Sequence, residues 1–276
     1  MNIFDRFFRS KNGIEKTPGI MFEEIDCKKE EQNKEFLRYS LQVAQEMIRL
    51  EDYVGLNKYL RMLAMRENLE FVNYKIKNPK EDVARATKFF SLFEKIEKSL
   101  SNEGEVVSCP KIVFEIPAEG KELYERYGHT VLDNSKPTFL VKSRPILLNC
   151  WNKESIPRTL SSIGKNNILE PISTMQNTYL YPLDLITCNA GNHRQLSAII
   201  DNEDGHTTLI EQITDLRPLY ATVHFDGNDF IFLNSGKSIY RIENSIELAM
   251  GTFYEIGRLL QNVPEYYPEY IYHHID

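Results

Sequence analysis

The chain has 276 residues, 42% of them hydrophobic and 26% charged, which excludes a disordered, collagen-like or membrane-embedded protein. No run of about 18 uncharged apolar residues occurs, and the opening MNIFDRFFRSKNG lacks the apolar core and cleavage site of a secretory signal, so a cytoplasmic protein without a membrane span is expected. The net charge of −7 is uneven: residues 1–100 hold 19 Lys and Arg against 17 Asp and Glu, whereas residues 101–276 hold 14 against 23. Phosphate backbones repel such an acidic second half, so no tight non-specific DNA binding is expected.

Residues 1–30 form an N-terminal tail or short docking helix, with Ile3, Phe4, Phe7 and Phe8 able to share one apolar face. Residues 31–104 read as a helical region that offers a surface for a protein partner. Phe36, Leu37, Ser40, Leu41, Ala44, Met47 and Ile48 recur with helical spacing, and a second helix carries Leu56, Leu60, Leu63 and Leu69 toward the core. Asn78-Pro79-Lys80-Glu81 has the capping pattern of a third helix, with Val83, Ala86, Phe90, Phe93, Ile96 and Leu100 on its apolar stripe.

Residues 105–263 change period and read as a mixed α/β domain. Lys111–Ile116, Thr138–Val141, Ile146–Asn149, Thr178–Tyr181 and Leu183–Cys188 are strand-like, and Ser155–Ile163 and Asn192–Asp201 are helical. Asp226-Gly227-Asn228-Asp229 is a hairpin turn between two short strands, and Asn244 opens a last helix that runs to about Gln261. Residues 264–276 form a tyrosine-rich C-terminal tail. The fold class expected is therefore α+β, an N-terminal helical region followed by a mixed α/β domain. The cysteines (Cys27, Cys109, Cys150, Cys188) are far apart and have no CxxC or zinc-ligand spacing. Cys188 is expected to be a core thiol. Asn234-Ser235-Gly236-Lys237-Ser238 lacks the first glycine of a phosphate-binding loop and reads as a turn. His206 and His224 have no partner at metal-ligand spacing and read as structural or solvated.

One segment carries chemistry. Leu183–Cys188, then Asn189-Ala190-Gly191-Asn192-His193-Arg194, then Gln195–Ile200 reads as strand, glycine turn and helix. Gly191 lets the backbone approach a ligand, the helix start presents free N–H groups, and both favour an anion such as phosphate. Arg194 can clamp that anion with its fork of donors, and His193 can donate to it or act as a general acid or base. Asn189 and Asn192 offer polar contacts.

With the upstream stretch, residues 155–200 resemble the core of the ParB/sulfiredoxin-like superfamily, in an uncharacterised bacterial subfamily. The parts that carry the resemblance are Leu160, Ser162-Ile163-Gly164, Pro171-Ile172, Tyr181, Gly191-Asn192-His193-Arg194 and Ala198. The resemblance implies that the turn binds nucleotide phosphates, ATP in sulfiredoxins and CTP in ParB proteins, through Gly191, Asn192, His193 and Arg194, with Arg158 as a second basic contributor. A nucleoside triphosphate is then the implied ligand, with a divalent metal such as Mg where phosphoryl or phosphodiester chemistry is carried out. His193 and Arg194 are the candidate catalytic residues. The sequence departs from the family in three ways. Asn192 stands where sulfiredoxins have their cysteine, residues 201–240 lack a Glu-Asn-x-x-Arg motif, and no helix-turn-helix follows. Nuclease members need acids for a metal, and Asp201, Glu203 and Asp204 follow the helix as a solvated turn. Two functions stand open: a nucleotide- or phosphate-binding protein with phosphoryl-transfer, nucleotide-hydrolysing or nuclease activity, or a non-catalytic regulatory protein that docks a partner through its helices.

Overall fold

A computed structural model describes residues 20–77, 110–115, 138–150, 154–171 except 165, and 175–275 except 203, together with residues 92, 93, 95, 96, 98 and 99, which are helical. The N-terminal aromatic segment, the Asn78 cap and most of the stripe that follows it lie outside the described residues. Phe93 and Ile96 of that stripe are buried.

Two long helices come first, α1 (Ile20–Arg49) and α2 (Tyr53–Lys77). Asp52 separates them and accepts the Gly55 N–H at 2.9 Å, so its carboxylate satisfies one of the free donors that begin α2. Leu37, Ser40 and Ala44 of α1 and Leu56, Leu60 and Leu63 of α2 are buried as their spacing predicts. Leu69 is not: it is 47% exposed, and Phe71 takes the core position. Six residues at about 100° each carry Leu69 some 240° round the helix from Leu63, onto the outer face.

The strands form three sheets. The largest has the order β1-β7-β4-β5-β3, built from β1 (Lys111–Glu115), β3 (Ile146–Leu147), β4 (Gln176–Tyr181), β5 (Leu185–Ala190) and β7 (Gln212–Asp215). It is mixed: β4 runs antiparallel to β5 and parallel to β7, and β3 runs parallel to β5. A short 3-10 turn (Val141–Ser143) links β2 (Thr138–Leu140) toward β3, and β2 pairs with β6 (Thr207–Leu209). The third sheet is an antiparallel meander of β8 (Val223–Phe225), β9 (Asp229–Phe232) and β10 (Ser238–Arg241). Its first turn has the expected hairpin form, with Asp226 accepting from the Asn228 and Asp229 N–H groups at 2.8 Å. The Gly236 segment is the second turn, between β9 and β10.

Helices α3 (Ser155–Ser162) and α4 (Asn192–Asp201) pack against each other, and a four-residue α5 (Arg217–Tyr220) follows β7. Asn244 caps α6 (Ser245–Leu260) by accepting the Ile246 and Glu247 N–H groups. Ala249, Phe253, Ile256 and Leu260 are buried, as are Met250 and Tyr254 on other faces, because α6 is wedged between α1, α2 and the meander. The fold class is thus α+β, and the helical and α/β parts share one hydrophobic cluster. The segment set apart as a tail joins it: Tyr266, Tyr267 and Ile271 of the 3-10 turn Pro264–Tyr266 and of α7 (Glu269–His273) with its approach are 5%, 6% and 0% exposed. Tyr267 donates to the Pro182 carbonyl at 2.7 Å, a contact that no local pattern encodes. No helix of the described residues is long and apolar enough to cross a membrane.

Candidate functional site

The strand–turn–helix segment has the expected geometry. β5 ends at Ala190, Gly191 adopts φ 89°, and α4 starts at Asn192 with no side-chain cap. The left-handed conformation favours glycine. A Cβ at position 191 would also lie 2.9 Å from Met175 Cγ. The first N–H groups of α4 have no intrahelical acceptor and sit at the positive end of the helix dipole.

The polar residues of the turn divide by burial. Asn192 is 3% exposed and its Oδ1 accepts the Asn149 N–H at 2.7 Å, so its side chain ties α4 to the end of β3 and leaves only its backbone N–H for a ligand. Asn189 is exposed and His193 is half-buried. Arg194 is exposed and makes no hydrogen bond or ion pair among the described residues, and the same holds for the side chain of Arg158 on α3. Asn149 is 5% exposed, and its Oδ1 is buried without a hydrogen-bond partner among the described residues.

Behind the turn a buried network fixes the first turn of α4. Gln195 donates to Asn177 Oδ1 at 3.0 Å and to Cys188 Sγ at 2.9 Å and accepts from Thr208 Oγ1 at 3.0 Å. Asn177 in turn donates to Thr208 Oγ1 at 2.7 Å and to the Leu209 carbonyl at 2.8 Å. Cys188 is the core thiol expected: it is 2% exposed, and burial first, with Cys150 beside it, pushes its thiol far above the ordinary range. Burial likewise pushes the Cys150 thiol up to about 12, so neither thiol is an activated nucleophile. His206 Nδ1 accepts the Leu169 N–H at 2.8 Å and Nε2 meets Asp201 at 2.9 Å, a structural role. Asp204 is paired with Lys142 at 2.5 Å, and Glu203 lies outside the described residues. Both described acids of that turn are therefore engaged. Among the described residues no group of three or more His, Cys, Asp or Glu could hold a metal ion.

A second cluster was not legible in the sequence. Asp184, fully buried at the β4–β5 turn with φ 50°, accepts Arg144 Nη1 at 3.1 and 3.0 Å, Tyr179 Oη at 2.8 Å, Tyr266 Oη at 2.6 Å and Asn57 Nδ2 at 3.4 Å. Tyr179 is local to the turn, but Asn57, Arg144 and Tyr266 come from segments 127, 40 and 82 residues away, so only the folded chain reveals the cluster.

The fold and the turn define an α+β protein with a glycine-led helix start beside an exposed arginine. The chain belongs to a family of unknown function, DUF6710, whose model matches residues 21–266. No curated protein and no solved structure matches the chain.

Proposed function

We propose that the chain binds a phosphate-bearing ligand, a nucleotide in the first instance, at the turn between β5 and α4. The observation that carries this reading is the coincidence of two features. Helix α4 begins at Gly191 without a capping side chain while Arg194 stands exposed and unpaired beside its first turn. Next to them Asn149 Oδ1 is buried without a partner among the described residues. An orphaned buried acceptor is costly until a donor reaches it. A nucleotide answers both: its phosphate meets the N–H groups and Arg194, and a hydroxyl or amino group can donate to Asn149. His193 supplies the imidazole that proton transfer would need. The resemblance of residues 155–200 to the ParB/sulfiredoxin-like superfamily supports the same ligand class.

The test is a thermal-shift screen against ATP, CTP and GTP, followed by calorimetric titration of the best ligand with wild type and Arg194→Ala. Loss of a charge-assisted bidentate contact is expected to weaken binding about 10- to 100-fold. The melting temperature should be unchanged, because Arg194 has no partner to lose among the described residues. Equal affinities, or no stabilisation by any nucleotide, would overturn the reading. The alternative, a non-catalytic docking protein, is favoured by Val54, Met62, Leu69 and Ile76, which leave α2 exposed and apolar on its outer side. Nothing in the structure shows what covers that side, and the ligand reading therefore stands first.

A further inference from the structure

At the far end of α4, about 15 Å from Gly191 at 1.5 Å per residue, lies a cleft between α2, the segment leading into β3 and the last turn of α4. Its volume is about 360 Å³, inside the range of roughly 300–1,000 Å³ usual for small-molecule sites. Lys58, Arg61 and Arg144 line it, and no acid does among the described residues, although the chain as a whole carries −7. Met65, Ile146 and Ile199 give it an apolar wall.

The three cations are not equivalent. Lys58 and Arg61 stand three residues apart on one face of α2, and neither makes a hydrogen bond or ion pair among the described residues. Arg61 is half-buried, and burial alone pulls its guanidinium below its ordinary value, with no carboxylate offsetting it. Arg144 is anchored from behind. Its Nη1 donates to both oxygens of the buried Asp184, and its guanidinium lies 5.8 Å from the centre of the Tyr266 ring. Nη2 and Nε of Arg144 have no acceptor among the described residues. A guanidinium that is fixed in place yet largely unsaturated loses little rotamer entropy when it takes an anion. Two further cations that line the same cleft, uncompensated among the described residues, raise the local potential there.

We infer that this cleft binds an amphipathic organic anion, its acid group held by Lys58, Arg61 and Arg144 and its apolar body against Met65, Ile146 and Ile199. The apolar wall sets the ligand class: a wholly hydrophilic anion would leave it uncovered, and a neutral amphiphile would leave the cations unpaired. The site is independent of the Gly191 turn and stands or falls without it.

The probe is 1-anilinonaphthalene-8-sulfonate, titrated by fluorescence against the full chain. Saturable binding at one site is expected, displaced by octanoate and not by octylamine. The variant K58A/R61A should keep the wild-type melting temperature, because neither side chain has a partner among the described residues, and should bind the probe at least about tenfold more weakly, an estimate lowered for the exposure of Lys58. A second variant, Ile199→Glu, places a like charge in the cleft and should weaken binding while Arg194→Ala leaves it unchanged. Absence of saturable binding, equal affinity in K58A/R61A, or displacement by octylamine as readily as by octanoate would overturn the inference.

Discussion

Asp184 concentrates more interactions than any neighbour in its turn, and its chemistry can be isolated by one atom's change. Its carboxylate is fully buried and balanced by Arg144 Nη1 and two tyrosine hydroxyls. Asp184→Asn keeps the shape but removes the charge, which leaves Arg144, only 15% exposed, without its counter-ion. Breaking a buried pair from one side costs about 3–5 kcal/mol. Tyr266→Phe removes one hydrogen bond to the charged group and should cost less, about 1.5–3 kcal/mol. Urea unfolding of the two variants checks the order. A cost for Asp184→Asn no larger than that for Tyr266→Phe would mean that the ion pair contributes little beyond its hydrogen bonds. The same residue positions Arg144 at the cleft, so packing energetics and the binding surface meet in one side chain.

Among the elements, α6 shows how packing reverses an intrinsic preference. In an exposed helix, glycine to alanine stabilises by up to about 1 kcal/mol, because alanine loses less backbone freedom. At Gly251 a Cβ would lie 2.5 Å from Phe225 Cδ1 and Cε1. That ring cannot swing aside, since it is 3% exposed and packed on Phe230 at 4.7 Å. Overpacking of a filled core costs about 1–3 kcal/mol, which exceeds the propensity gain. Gly251→Ala should therefore destabilise the protein, read as a lower urea midpoint with an unchanged slope. A raised midpoint would show that α6 can slide away from the meander. The close approach at Gly251 is what allows the helix to be buried on nearly every face, and it brings α1 and α2 onto the same core.

For the whole molecule the governing quantity is charge. Residues 201–276 hold 4 basic residues against 13 acids, and three of the four are paired with acids, Arg217 with Asp215, Arg241 with Glu30 and Arg258 with Glu255. Neutralising several phosphates at once requires clustered free cations. The cations of the α2 cleft are too few for a duplex, and Arg158 and Arg194 add two more. Binding to random duplex DNA at physiological salt should be weaker than about 10⁻⁵ M, the weak side of the non-specific range. Fluorescence anisotropy checks this, and submicromolar binding that falls steeply with salt would contradict it.

Local features were readable from the chain because the forces behind them act within a few residues. Asn244 caps its helix by accepting the N–H groups two and three residues further on, Asp226 closes its hairpin in the same way, and Gly191 supplies the positive φ that a sharp strand-to-helix turn demands. The candidate anion turn was legible for that reason. Outcomes that depend on which surfaces meet were not. The sequence placed Leu69 toward the core and set residues 264–276 apart as a tail, whereas docking of α2 on the sheet chose Phe71, and the groove beside Pro182 took in Tyr266 and Tyr267. Asp184 and Arg144 are 40 residues apart and Asp184 and Tyr266 are 82 apart, so their pairing exists only after the chain has closed. Helix and turn positions follow from short-range sterics and hydrogen bonding, which the amino-acid order contains by itself. The buried charge cluster and the cationic cleft follow from long-range packing, which only the tertiary structure decides.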